Sequence, residues 1–165
     1  MSILEMQWDF GCEISIVEFG EPVMSRRKLD LPRHFDFRTE LSVRITDVNY
    51  AGHLGNDSVL SLIHEARTLM LKSKGFSEGD VGGVGIIMVD AVVVYMSEAF
   101  HGDVLVVEVG IENIDASGCD FFYRLTDKAS GREVVRAKTG IAFFDFGRRK
   151  VSRTPERFRA LFLRE

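Results

Sequence analysis

The sequence predicts an α+β fold in which an antiparallel β-sheet wraps a long central helix. Three observations carry that expectation. Over residues 56–74 apolar side chains recur at three- and four-residue spacing around most of a helix's circumference. Four strand-like segments follow with only short turns between them, so no crossover helices separate the strands. One further alternating segment precedes the helix. A helix apolar over so wide an arc needs a curved sheet to cover it.

Residues 1–37 read least clearly and are set apart as an N-terminal extension ahead of one domain over 38–165. Within the extension, residues 12–19 (CEISIVEF) suggest a short strand, and residues 24–37 a connecting segment. Residues 38–46 form the first strand of the domain, with Leu41, Val43 and Ile45 on one face. The helix places Val59, Leu60, Leu62, Ile63, Ala66, Leu69, Met70 and Leu71 on a wide apolar face, and Ser61, His64, Glu65, Thr68 and Lys72 along a polar line. Asn56 or Asp57 suits its N-cap, and Gly75 its C-terminal stop. After GDVGGVG, residues 86–96 are almost continuously apolar, which predicts burial of both faces. The next strand alternates, with Leu105, Val107, Val109 and Ile111 opposite Asp103, Glu108 and Glu112. DASG and KASGR are turns that bound a third strand, CDFFYRLTD, and a long fourth one, EVVRAKTGIAFFDF. In the tail, Thr154 as N-cap and Pro155 at the first helical position start a short amphipathic helix.

With 165 residues and 45% hydrophobic content, the chain suits a single core. A net charge of -4 argues against a dedicated nucleic-acid binder. Cys12 and Cys119 are far apart and outside any C-x-x-C pattern, so neither a zinc site nor a disulfide framework is expected. The N-terminus lacks the basic and apolar blocks of a signal peptide. The longest apolar run, VGIIMVDAVVVYM, is interrupted by Asp90 and is too short for a membrane span. A soluble cytoplasmic protein is therefore expected.

The chemistry concentrates just ahead of the helix, where Asp47, Asn49, His53, Asn56 and Asp57 fall within eleven residues. Helix N-termini leave N–H donors unpaired and carry positive partial charge, so they bind anions and polarise carbonyls. Gly52 and Gly55 let the loop approach a ligand closely. An amide, an imidazole and carboxylates beside such donors are the components of acyl transfer to water. Each residue also has a purely structural reading: Asn56 and Asp57 as caps, Asp47 and Asn49 as turn formers, His53 as a hydrogen-bonder. His64 and Glu65 can be solvated or paired with Arg67 or Lys72. There is no G-x-S-x-G elbow, neither cysteine has a nucleophile's setting, and GGVG is no phosphate loop.

DVNYAGHLGNDSVLSLIHEAR, with SEAFHGDVLVVEVGI and FFYRLTDKASGREVVRAKTGIAFFD after it, resembles the hotdog-fold acyl-CoA thioesterases of the 4-hydroxybenzoyl-CoA thioesterase-like group. Those proteins show a D-x-D-x-x-x-H loop, then N-N-x-x-Y, and a helix ending in E-x-A-R. The likeness runs from about Leu41 to the C-terminus. It implies a five-stranded antiparallel sheet around the helix and homodimers, often paired into tetramers, with active sites at the dimer interface. It further implies hydrolysis of acyl-CoA thioesters without a metal or organic cofactor, CoA being part of the substrate, and no nucleic-acid or membrane partner.

Carried over residue by residue, the resemblance puts Asn49 where the family keeps its catalytic aspartate, while Asp47 is retained. An amide is neither a general base nor a carboxylate nucleophile. The helix-start donor falls at Asn56, whose N–H polarises the thioester carbonyl. A sister group carries its carboxylate eight positions further along the helix, at the position of His64, with Glu65 beside it. Three replacements for the aspartate follow: Asp57 holding a water, His53 as base with Asn49 binding water or thioester, and His64 as base oriented by Glu65 or another carboxylate. The first two rank ahead of His64. Asp47, Gly55 and Glu65 complete the set as substrate-side residues, and Arg148, Arg149, Lys150, Lys72 and Lys74 are candidates for CoA phosphates. A catalytically silent acyl-CoA-binding protein is the alternative, and an enoyl-CoA hydratase or dehydratase ranks lowest.

Overall fold

The structure, a computed structural model, describes residues 28–163, so the strand expected at 12–19 and Cys12 lie outside the described residues. In chain order the elements are β1 (Phe37–Ser42), α1 (Asn56–Ser73), β2 (Gly85–Tyr95), β3 (Val104–Glu112), β4 (Gly118–Asp127), β5 (Glu133–Asp145), β6 (Lys150–Val151) and α2 (Glu156–Phe162). The strands pair antiparallel in the spatial order β1-β3-β4-β5-β2, and β6 adds beside the end of β5. Because β1 and β2 stand at opposite edges, the chain between them must cross a face of the sheet. α1 makes that crossing.

The periodicity read in the sequence explains why α1 lies where it does. Val59, Leu62, Ile63, Ala66, Met70 and Leu71 are buried and share one core with Leu105, Val107, Val109 and Ile111 of β3 and with Phe121, Tyr123 and Phe143. Gly75 ends the helix as expected: it adopts φ +74°, and the Phe76 N–H reaches back to the Leu71 carbonyl at 2.9 Å. α2 buries Phe158 and Phe162, and Phe158 meets Phe143 edge-on with ring centroids 5.0 Å apart. Residues 28–36, in the segment set apart as an extension, lie against the outer face of the sheet. Pro32 and the His34 carbonyl would stand 3.0 and 2.9 Å from a Cβ at Gly110, and the Arg124 guanidinium lies 4.7 Å over the Phe35 ring. That strap covers Gly110 on the side of β3 away from α1.

Four local expectations are corrected. The first strand stops at Ser42 instead of continuing to 46, because Asp47 accepts the Arg44 N–H at 2.8 Å and closes a 3₁₀ turn over Ile45–Asp47. The N-cap of α1 is Gly55, which has no side chain to cap with, and not Asn56 or Asp57. Thr154 does not cap α2; it is buried and donates its hydroxyl to the Asp115 carbonyl at 2.9 Å, leaving Pro155 as the N-cap.

The fourth correction concerns β2. Within one chain the expectation of two covered faces is not met, since β2 is an edge strand that exposes Met88 and Val89. An apolar run reports that a segment avoids water, not which surface covers it. Asp90, the interruption in that run, sits at a bulge: the register with β5 slips between Met88 and Asp90, and its carboxylate takes the Gly140 N–H and the Lys138 ammonium at 3.2 and 2.8 Å. Among the described residues no helix is long and apolar enough to cross a membrane.

Candidate active site

The loop ahead of α1 is closed by its own backbone. The Asn49 N–H donates to the His53 carbonyl at 2.9 Å, the Gly52 N–H to the Asn49 carbonyl at 3.0 Å, and the Ala51 N–H to Asn49 Oδ1 at 2.9 Å. Gly52 takes φ +84° at the apex, where a side chain would be strained. Two further bonds fasten the loop to the fold: Leu54 N–H to the Ala99 carbonyl and Gly55 N–H to the Asp47 carbonyl, each 2.8 Å. Ala99 lies between β2 and β3, so the helix entrance and that connection form one wall.

A glycine at the N-cap has a direct electrostatic consequence. The Gly55 N–H is bonded to Asp47 and the Val59 N–H to the Gly55 carbonyl at 3.2 Å, while no side chain caps the donors of Asn56, Asp57 and Ser58. Of the three, Asn56 lines a cavity of about 400 Å³, together with Asn49, His53, Val59, Tyr95 and Glu98, among others. Within it, half-buried His53 places Nδ1 3.3 Å from the Leu54 carbonyl and 3.5 Å from the Asn49 amide nitrogen, and Nε2 4.0 Å from Glu98. The Tyr95 hydroxyl donates to the Asn56 carbonyl at 3.1 Å. Burial, reinforced by the Asp57 charge, pushes the Tyr95 phenol above its ordinary pKa, so it remains a donor at neutral pH.

The other sequence candidates fall elsewhere. Asp57 is exposed in the first turn of α1, and its Oδ1 occupies the space over Gly55, 2.6 Å from where a Cβ would stand. Asp47 acts as a turn residue bonded to Arg44, and Glu65 is exposed; neither lines this cavity. His64 lines a second cavity, of about 370 Å³, two helical turns further along α1. Its carboxylate partner is Glu78 at 2.8 Å, not Glu65. Sequence reasoning missed Glu98 and Glu78. Nothing local marks Glu98, which the β2–β3 connection carries to the site. Glu78 had a signal: Arg67 falls in the apolar line of α1 between Ile63 and Met70, and an arginine buried there requires a carboxylate from outside the helix.

Among the described residues no cluster of side chains has the makings of a metal site. The arrangement offers uncapped N–H donors at the start of α1 and, on the lining of the adjoining cavity, the His53 imidazole.

The sequence profile of the thioesterase-like superfamily matches residues 43–162. No curated protein matches the chain. Among solved structures, a 1,4-dihydroxy-2-naphthoyl-CoA thioesterase from Synechocystis is 25% identical, with a TM-score of 0.69 over 76% of this chain and 93% of that one. A hypothetical protein from Aquifex aeolicus, 20% identical, superposes with a TM-score of 0.70 over 76% and 98% of the two chains. A gentisyl-coenzyme A thioesterase, 16% identical, does so at 0.68 over 76% and 99%. The last two likenesses speak to the fold alone.

Proposed function

The chain belongs to the thioesterase-like superfamily, and from that premise we propose that it hydrolyses acyl-CoA thioesters at the cavity where α1 begins. The observation that carries this reading is the glycine-capped helix start, whose first residue, Asn56, lines the same cavity as His53. The thioester carbonyl oxygen lies against the Asn56 N–H, where the helix dipole favours the negative charge of the tetrahedral intermediate. In the tautomer that carries its proton on Nδ1, 3.3 Å from the Leu54 carbonyl, His53 presents Nε2 to take a proton from the attacking water. Glu98, 4.0 Å from Nε2, steadies the imidazolium that forms. The water oxygen bonds to the carbonyl carbon, the C–S bond breaks, and the proton held by His53 passes to the departing thiolate. Asn49 contributes by fixing the loop, through the Ala51 N–H and the His53 carbonyl.

A homodimer completes this reading. β2 is a long edge strand with exposed Met88, Val89 and Tyr95, and an apolar edge of that kind is covered by a two-fold partner or invites aggregation. Light scattering of the purified protein tests it, and a monomer at micromolar concentration overturns it. The reaction needs no cofactor beyond the CoA of the substrate, and a cytoplasmic location accords with such a substrate.

Free-thiol release measured across short-chain, aromatic and long-chain acyl-CoAs tests the activity. Turnover with at least one class is expected, and its absence with all of them in folded protein refutes the proposal. Asn49 favours one rival, a silent acyl-CoA-binding protein. Tight binding without turnover, converted to turnover by Asn49→Asp, decides for that rival.

A further inference from the structure

Residues 28–36 cross the outer face of the sheet, and three strands hold them there. The Asp36 N–H donates to the Val109 carbonyl and the Ile111 N–H to Asp36 Oδ2, each at 2.8 Å, which fixes one end on β3. The Arg124 guanidinium of β4 lies over the Phe35 ring, and Arg136 of β5 donates Nη1–H to the Leu29 carbonyl at 3.3 Å. Between these points the strap passes so close to Gly110 that a Cβ would stand 2.9 Å from the His34 carbonyl oxygen and 3.0 Å from Pro32 Cγ. Gly110 takes no positive φ, so its backbone does not call for glycine. The strap does.

The strap is two-sided. Pro32 is buried and Leu29, Leu31 and Phe35 are half-buried, whereas Asp30, Arg33 and His34 are exposed. The sheet at this place has an apolar hollow. Phe122 stands directly across from Gly110, Val106 alternates onto the same face, and both are buried although neither joins the core around α1. Around the hollow, side chains of opposite charge pair on the sheet: Arg124 with Glu108 at 2.6 Å, Lys138 with Asp120 at 3.3 Å, and Arg136 with Glu133. A face that is apolar in the middle and balanced in charge at its rim fits a second copy of itself, because a two-fold axis can set each cation against an anion. Sheets pack face to face about 10 Å apart, and a strap of backbone and side chains fills that gap. The strap also lies outside the residues matched by the thioesterase-like profile, which begins at 43.

We propose that residues 28–36 are a stop built into the fold. They occupy the outer face of the sheet and present charge in place of an apolar hollow, so that a second copy cannot pack there and assembly ends at the pair formed through β2. Releasing the strap opens the face, and the mass of the particle doubles. The hydrolase reading enters only through that β2 pair, the state from which the mass doubles.

Two full-length variants release the strap from opposite sides. Gly110→Val puts a side chain where the strap lies, and valine suits a strand. Pro32→Ser with Phe35→Ser removes the strap's apolar seat and leaves the sheet untouched. Trypsin cleavage between Arg33 and His34, read by intact mass, reports release. It is expected to be about tenfold or more faster in both variants, because cleavage tracks the population of the open form. Light scattering after size exclusion is then expected to show a closed particle of twice the wild-type mass. Unaltered cleavage at Arg33 in both variants overturns the docked strap. Release in either folded variant without a doubled mass overturns the stop, as does a wild-type particle of four chains or open-ended aggregation in place of a closed one. A wild-type monomer that becomes a dimer on release refutes the β2 pair and leaves the strap's role standing.

Discussion

The two histidines that line cavities are held in opposite ways, although they stand only eleven positions apart on one loop and helix. His53 is placed by backbone: its loop is closed by main-chain bonds of 2.9 to 3.0 Å, while its ring contacts are long, at 3.3, 3.5 and 4.0 Å. His64 is placed by side chains, through a 2.8 Å bond to a carboxylate that a buried arginine grips at 2.7 Å. The difference separates position from orientation. The loop fixes where His53 sits through main-chain bonds, whereas the Arg67–Glu78 pair fixes how the His64 ring is turned through side-chain bonds.

Removing the grip on the far side is the most disruptive way to break the comparison. Arg67→Met leaves Glu78 and Tyr123 without their shared donor inside the fold, at a cost of about 3 kcal/mol, within the range for breaking a buried pair. Denaturant titration reads this as a lower midpoint with an unchanged slope, and a midpoint like that of wild type contradicts it. On the near side the effect moves from stability to rate. His53→Ala lowers kcat by about 100-fold, the lower end of what a general base contributes, with stability changed by less than about 1 kcal/mol. Steady-state thiol release with melting curves checks both halves of that statement.

Gly55→Ala sharpens the comparison with a smaller change. Its φ of -66° suits any residue, but the new Cβ stands 2.6 Å from Asp57 Oδ1, so that side chain must swing away over the helix start. A loss of about tenfold in kcat/KM follows, recovered in part by adding Asp57→Ala; equal losses in the single and double variants count against a steric cause. The smallest effect is with pH. The folded-state pKa of Glu78 is depressed, so its contribution to stability is fully present above the unfolded carboxyl value and is lost as pH falls through the lower folded one. Wild type therefore loses stability faster on acidification than Glu78→Gln does, and parallel curves of melting temperature against pH refute the assignment.

The helix, the four long strands and the turns were legible because each rests on a period that neighbouring residues declare by themselves. The boundary errors share one cause. Asp47 ended β1 early, and Thr154 left its cap for the Asp115 carbonyl, because short polar side chains choose among backbone partners that no pattern ranks. At the candidate site, the cluster of Asn49, His53 and Asn56 on one cavity was visible in their spacing. Glu98 and Glu78 were not, since each reaches its histidine across more than a dozen residues of chain.

Sequence alone determined that a glycine-hinged polar loop feeds an apolar helix, and that an antiparallel sheet must cover that helix. These follow from local periodicity, turn chemistry and the need to bury one continuous stripe. Only the tertiary structure decided that the helix start is capped by Gly55 and thus left open, that β2 is an edge, and that Glu78 rather than Glu65 orients His64. Each of those depends on which distant surfaces meet, and the pairing energy of a carboxylate and an imidazole is realised only once the chain has brought them within 3 Å.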